Sequence, residues 1–277
     1  MIPVCEGFVH CSRNNFALLY HLPGFAVPDQ APQSLYSILP RNRYSLTTEK
    51  FSGNTNSSGR GVLPSLEQRY QLATALAEGL LSLLAVNWVH KALNSRNVVL
   101  YQSQVSPSRQ LDLSAPQLLG FGVARRERPE ERTVDLGDRD SSPWRYWMHP
   151  ELRAEQHRRF EPRFDIYALG VVLFEIGMWQ DLHYFTSGCG SAEDFRRRMI
   201  HVCAKEMAHR MGEKYKKAVM ACLDGDQMWK TALTEEQGHV QEDLDCWKDE
   251  IELDGMTLTE LFIVNVYSVL KACSQPE

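Results

Sequence analysis

The chain has 277 residues, of which 43% are hydrophobic and 23% charged, with a formal net charge of −5. Such a length and composition suit one sizeable core or two small ones, and the negative balance excludes a basic field for wrapping a nucleic-acid backbone. The longest apolar run, Tyr167 to Trp179, is too short for a bilayer and carries Glu175, and the start of the chain lacks a basic-then-apolar secretory pattern, so a cytoplasmic protein with no membrane span is expected.

In chain order, "GFVHC" alternates, "RNN" offers turn chemistry, and "FALLYHL" reads as a buried apolar run ended by Pro23 and Gly24, which together predict a hairpin. A short helix is predicted at "PQSLYSIL", opened by Pro32 and closed by Pro40. Ser45 to Gly61 is dominated by Ser, Thr, Asn and Gly, too polar to fold on itself, and predicts a mobile surface loop. The longest helix follows in "LPSLEQRYQLATALAEGLLSLLAVNWVH", where Leu66, Tyr70, Ala73, Leu76, Ala77, Leu80 and Leu84 recur at helical spacing and predict burial.

Beyond it come a strand "NVVLY", a polar stretch "QSQVSPSRQLDLSAP", a strand "QLLGFG" and a charge-mixed, solvated segment "ARRERPEERTVDLGDRD". A second buried helix is predicted at "DIYALGVVLFEIGMW", then helices at "SAEDFRRRMIHVCAKEMAHRM", "EKYKKAVMACL" and "TLTELFIVNVYSVLKAC". Arg196 to Arg198 read as a solvated helix face. Seven scattered cysteines without a CxxC pair argue against a disulfide scaffold, and His201, Cys203 and His209 lack the paired spacing and fourth ligand of structural zinc, so no metal is expected.

Four segments carry a family likeness. "HKALNSRNVVL", His90 to Leu100, is similar to the catalytic loop H-R-D-L-x-x-x-x-N of eukaryotic protein kinases and its following strand. "QLLGFGVAR" resembles the D-F-G segment, with Phe121, Gly122, Ala124 and Arg125 in place; "WMHPE" resembles A-P-E through Pro150 and Glu151; "DIYALGVVLFEI" resembles the D-x-x-x-x-G helix through Asp165 and Gly170. The separation of Asn97 from Gly120 exceeds the tight hairpin usual in the family, the excess being a polar surface insertion. A narrower resemblance is to the kinase-like domains of filamentous-fungal proteins that follow a HeLo-type or prion-inhibition domain.

This resemblance implies a mainly α (α+β) fold, a protein-kinase-like C-terminal lobe with only a residual strand hairpin of the N-terminal lobe. The implied divisions are residual strands and hinge over 1–24, the lobe over 25–225, and a helical extension over 226–277. Phosphoryl transfer needs a carboxylate on the substrate hydroxyl, an Asp and an Asn on magnesium, and a lysine on the phosphates. The matching positions hold Ala92 for the loop acid, Gly120 for the D-F-G acid and Asn94 for the loop lysine, leaving Asn97 alone. No glycine-rich loop or strand lysine fits before "FALLYHLPGF".

A catalytically inactive interaction or scaffold module with a protein partner and no cofactor is therefore expected. A kinase fragment lacking its N-terminal lobe, and a nucleotide-sensing module without turnover, are the alternatives. Leu19, Tyr20, Leu22, Asn97 and Val99 are the candidates for lining ATP in those cases, although Asn97 equally suits local turn bonding. His90, Phe121, Gly122, Pro150, Glu151, Asp165 and Gly170 are expected to brace the fold. Lys91 replaces the family arginine that pairs with a phosphorylated segment, for which Thr133, Ser141 and Ser142 are acceptors in principle. Glu151 is expected to pair with a buried arginine late in the lobe, yet "AVMACLDGD" holds none. The missing upper lobe predicts exposed apolar surface around Val99 and Leu118.

Overall fold

The computed structural model describes residues 2–12, 15–40, 63–104, 111–127, 144–154, 158–225, 229 and 256–274. The expected mobile loop at Ser45 to Gly61, together with Thr133, Ser141 and Ser142, lies outside the described residues.

Strands β1 (Cys5–Ser12) and β2 (Asn15–Tyr20) pair antiparallel, with Phe8 opposite Leu18 and His10 opposite Phe16. Strand alternation brings these four side chains to one face, where Phe8 meets Phe16 edge-on at 5.7 Å and His10 stacks on Phe16 at 4.8 Å. The expected burial of "FALLYHL" is corrected here: Phe16, Leu18 and Leu19 are exposed at 62%, 42% and 44%. A two-stranded ribbon has no second layer of its own with which to bury a face.

The connection after the hairpin doubles back over the rest of the chain as β3 (Gln33–Ser34) and α1 (Leu35–Ile38), the helix being capped by the Ser34 hydroxyl. β3 joins β5 (Val98–Leu100) and β6 (Gln117–Leu118) in an antiparallel sheet ordered β3-β5-β6. A second small pairing links β4 (Trp88–Val89) to β7 (Arg125–Arg126). Val99 and Leu118 are buried, not exposed as expected, because β3 and α1 cover β5 from this chain's own linker.

Helix α2 (Leu66–Leu84) starts at a capping box, in which Ser65 and Gln68 satisfy each other's backbone N–H. It ends earlier than the apolar pattern suggests, since Asn87 takes a φ of 54° and turns "WV" into β4. After α3 (Pro150–Ala154), α4 (Pro162–Met178) opens with proline in its first turn and is buried from Arg163 to Met178. A helix apolar on every side has to lie at the centre, and α2 and α6 (Ala208–Asp224) pack against it.

Polar ties reinforce that packing: the Tyr215 hydroxyl donates to Leu173 O at 2.8 Å, and Arg69 Nη1 donates to Gly177 O at 3.2 Å. Helix α5 (Ala192–Val202) runs through a π turn at Cys203–Met207 into α6, which bends at Gly212 with φ 77°. Arg196 departs from the expected solvated face: its Nε donates to Leu223 O at 2.8 Å, while Arg197 and Arg198 stay exposed. Near the chain's end, α7 (Leu258–Phe262), a π turn at Ile263–Tyr267 and α8 (Ser268–Cys273) form one rod. Its Leu258, Leu261, Phe262, Val266 and Leu270 enter the same core as α2, α4 and α6. Among the described residues no helix is long and apolar enough to cross a membrane.

Gly170 is where α4 and α6 approach most demandingly: a Cβ there would lie 2.5 Å from Cys222 Cβ and 3.3 Å from its backbone carbon. Neither atom sits at the end of a flexible side chain, so the helices would have to separate. Gly170→Ala should therefore lose about 2 kcal/mol despite alanine's better helix propensity, and chemical denaturation should show it as a lowered midpoint at unchanged slope.

Candidate functional site

The kinase-like loop is built outward from Asp165, in the first turn of α4 and wholly buried. Its Oδ2 accepts His90 N at 2.6 Å and its Oδ1 accepts Lys91 N at 2.9 Å. Lys91 is held at φ 68°, a region side chains rarely adopt, and the paired bonds to a buried carboxyl hold it there. His90 is also buried, lies edge-on to Phe121 at 4.7 Å, and accepts Ala92 N on Nδ1 at 3.2 Å. Desolvation lowers its pKa to about 4 against an opposing backbone bond at Leu119. Neutral and enclosed near pH 7, His90 braces the loop.

Two amides converge on one carbonyl: Asn94 Nδ2 and Asn97 Nδ2 each donate to Ala92 O at 2.7 Å. Asn94 Oδ1 in turn accepts Arg96 N at 2.9 Å and Asn97 N at 3.2 Å, closing the turn on itself. Leu119 N donates to Asn97 O at 2.8 Å, which places Gly120 beside the Asn97 side chain. Gly120 has a φ of 92° and leads into a 3-10 turn over Phe121–Val123 that contains Gly122. A small pocket lies beside Ala92, lined by Lys91, Asn94, Trp144, Met148 and Phe160 among others.

Glu175 is the central residue that sequence reasoning missed. It has no exposed surface; its Oε1 accepts the Ser95 hydroxyl at 3.1 Å and its Oε2 accepts Trp147 Nε1 at 2.8 Å. One carboxyl thus joins α4 to the loop and to the turn that precedes α3. Burial pushes its pKa up to about 8, opposed by the Trp147 and Ser95 donors and assisted by the nearby Asp181 carboxylate. Burial likewise raises Asp165 to about 7, opposed by the His90 and Lys91 donors. The signal was present in "VVLFEIG": a charge inside a helix buried all round has to have partners.

The partner of Glu151 is another correction. Arg163, from the first turn of α4 and with no exposed side-chain surface, pairs with Glu151 at 2.5 Å and with Glu161 at 2.6 Å. Arg158 reaches the same Glu151 oxygen at 2.9 Å. Pro150 and Glu151 open α3, so the ion pair ties α3 to α4 rather than to the neighbourhood "AVMACLDGD".

His90, Asn97, Gly120, Phe121 and Asp165 come together around the loop, while Gly170 lies further along α4 at the α6 contact. Of the nucleotide-lining candidates, Leu19 and Leu22 are exposed, Tyr20 is half-buried on β2, and Val99 is buried in β5. His201 and His209 are exposed while Cys203 is buried, and no group of three His, Cys, Asp or Glu among the described residues is arranged to hold a metal ion.

Comparison with known proteins points the same way as the motifs. A family model for protein tyrosine and serine/threonine kinases matches residues 33–234. The chain is 28% identical over 123 residues to tyrosine-protein kinase Abl of Drosophila melanogaster, a match covering 44% of this chain and 7% of that much longer protein.

Both raised carboxyls favour the protonated fold. Their stabilisation is complete below the ordinary carboxyl range near pH 4 and is lost as pH rises through about 7 for Asp165 and about 8 for Glu175. The melting temperature should therefore fall as pH rises from about 4 to about 8 and level off above that, and Glu175→Gln, which keeps the shape but cannot ionise, should make the fall shallower and end it near pH 7. Arg163→Met leaves Glu151 and Glu161 to the partly exposed Arg158 and should lose about 2 kcal/mol in a denaturation experiment.

Proposed function

This chain belongs to the protein tyrosine and serine/threonine kinase family, and we propose that it is a member without phosphotransfer activity, serving as an interaction or scaffold module for a protein partner. The observation that carries the reading is Ala92, a methyl group at the loop position where the family's reaction uses a carboxylate to orient and deprotonate the attacking hydroxyl. Gly120 supports it, because a hard divalent cation is held by charged oxygens and glycine has none to offer. Asn94, at the loop lysine's position, donates to Ala92 O and is engaged in holding the turn. The side chains that brace the loop are kept and those that would do chemistry on it, Asn97 apart, are replaced, a combination suited to binding.

The same proposal includes a cytoplasmic setting and the narrower kinship with fungal kinase-like domains that follow a HeLo-type or prion-inhibition domain. Radiolabelled ATP with magnesium or manganese and a generic protein substrate should yield no transfer above background, and Ala92→Asp alone should not create any. Transfer by the wild-type chain that Asn97→Ala abolishes would overturn the proposal. Millimolar ATP should leave the melting temperature unchanged, whereas a rise would favour a nucleotide-sensing role, since a ligand selective for the folded state has to stabilise it.

A further inference from the structure

We propose that Asn97 and Gly120 form one interlocked structural unit, in which the asparagine amide occupies the space that a side chain at 120 would need. The metal place of this loop pair is on this view filled by protein, and substitution at 120 alone does not reopen it. The inference deepens the reading of the loop as non-catalytic and rests on it for its significance, but its geometry is independent of any activity.

A Cβ on Gly120 would point at the Asn97 amide, falling 2.8 Å from Cγ and 3.3 Å from Oδ1, closer at Cγ than non-bonded carbons approach. Side-chain ends usually yield to such intrusion, but this one is tied at both ends. Its Nδ2 donates to Ala92 O at 2.7 Å, and its backbone is fixed by Leu119 N on Asn97 O at 2.8 Å and by Asn97 N on Asn94 O at 3.0 Å. Rotation about its side chain would break the bond to Ala92 O.

The backbone adds a second, separate constraint. At φ 92°, position 120 lies where glycine is at ease and L side chains are strained. An aspartate at 120 would thus meet both the wrong backbone and an occupied volume. What remains for a divalent cation is the Asn97 Oδ1, a single neutral oxygen where magnesium wants near-octahedral oxygen ligands. The implied magnesium does not fit these residues.

The two constraints separate in a double-mutant cycle on the full chain. Gly120→Ala should lower the denaturation midpoint clearly in the wild type and by a smaller amount in an Asn97→Ala background, because the backbone strain persists while the collision is gone. Where Asn97→Ala does not give folded protein, Asn97→Ser shortens the same side chain and serves in its place. An equal loss from Gly120→Ala in both backgrounds would overturn the interlock. Manganese chloride alone, titrated against the wild type, should leave its melting temperature unchanged; a rise that Asn97→Ala removes would also overturn it. Phosphate transfer by some other arrangement would sink the proposed function while leaving the result of the cycle intact.

Discussion

Everything near the loop depends on a carboxyl in a dry place. Asp165 lies in the first turn of the central helix, and its two oxygens take the backbone N–H groups of His90 and Lys91. Those bonds hold Lys91 in a backbone conformation it would otherwise avoid, and so set the direction in which Ala92, Asn94 and Asn97 leave the turn. Because α4 is buried along its length, the loop is tied to the centre of the core.

The same helix contributes two more buried ionisable groups, each serving a different neighbour. Arg163 anchors α3 through Glu151, and Glu175 joins Ser95 of the loop to Trp147 before α3. Burying an ion in an apolar medium costs several kcal/mol, so such groups persist only where partners offset that penalty or where protonation removes the charge. Arg163 follows the first course and Glu175 the second. A largely buried polar frame therefore runs from loop to helix to segment.

Much of the architecture was legible in the sequence because it is local. The apolar periodicity of α2 and α4 and the short helix ending before Pro40 depend on neighbours a turn away. Where the reading missed, a distant element decided. The hairpin's apolar residues looked like core by composition, but burial needs a second layer and the ribbon has none of its own. Val99 and Leu118 looked bare and are covered by the chain's own linker. Glu151 looked unpaired because the end of the lobe holds no arginine, while its partner stands at the start of α4. Arg196 looked solvated as one of three, until α6 brought Leu223 O within reach.

The sequence by itself determined which chemical groups this chain possesses: that position 92 has no acid, that position 120 has no side chain, and that the loop, segment and helix motifs follow in kinase order. Composition and spacing suffice for such statements, since an absent functional group is absent in every conformation. Only the tertiary structure decided what occupies the space left behind. That Asn97 stands where a Gly120 side chain would be, and that a glutamate in the middle of an apolar helix meets a serine and a tryptophan from two other segments, follows from long-range packing of backbones. Close packing leaves no gap unclaimed, but which neighbour claims it is settled by where the chain crosses itself, and that lies beyond any local pattern.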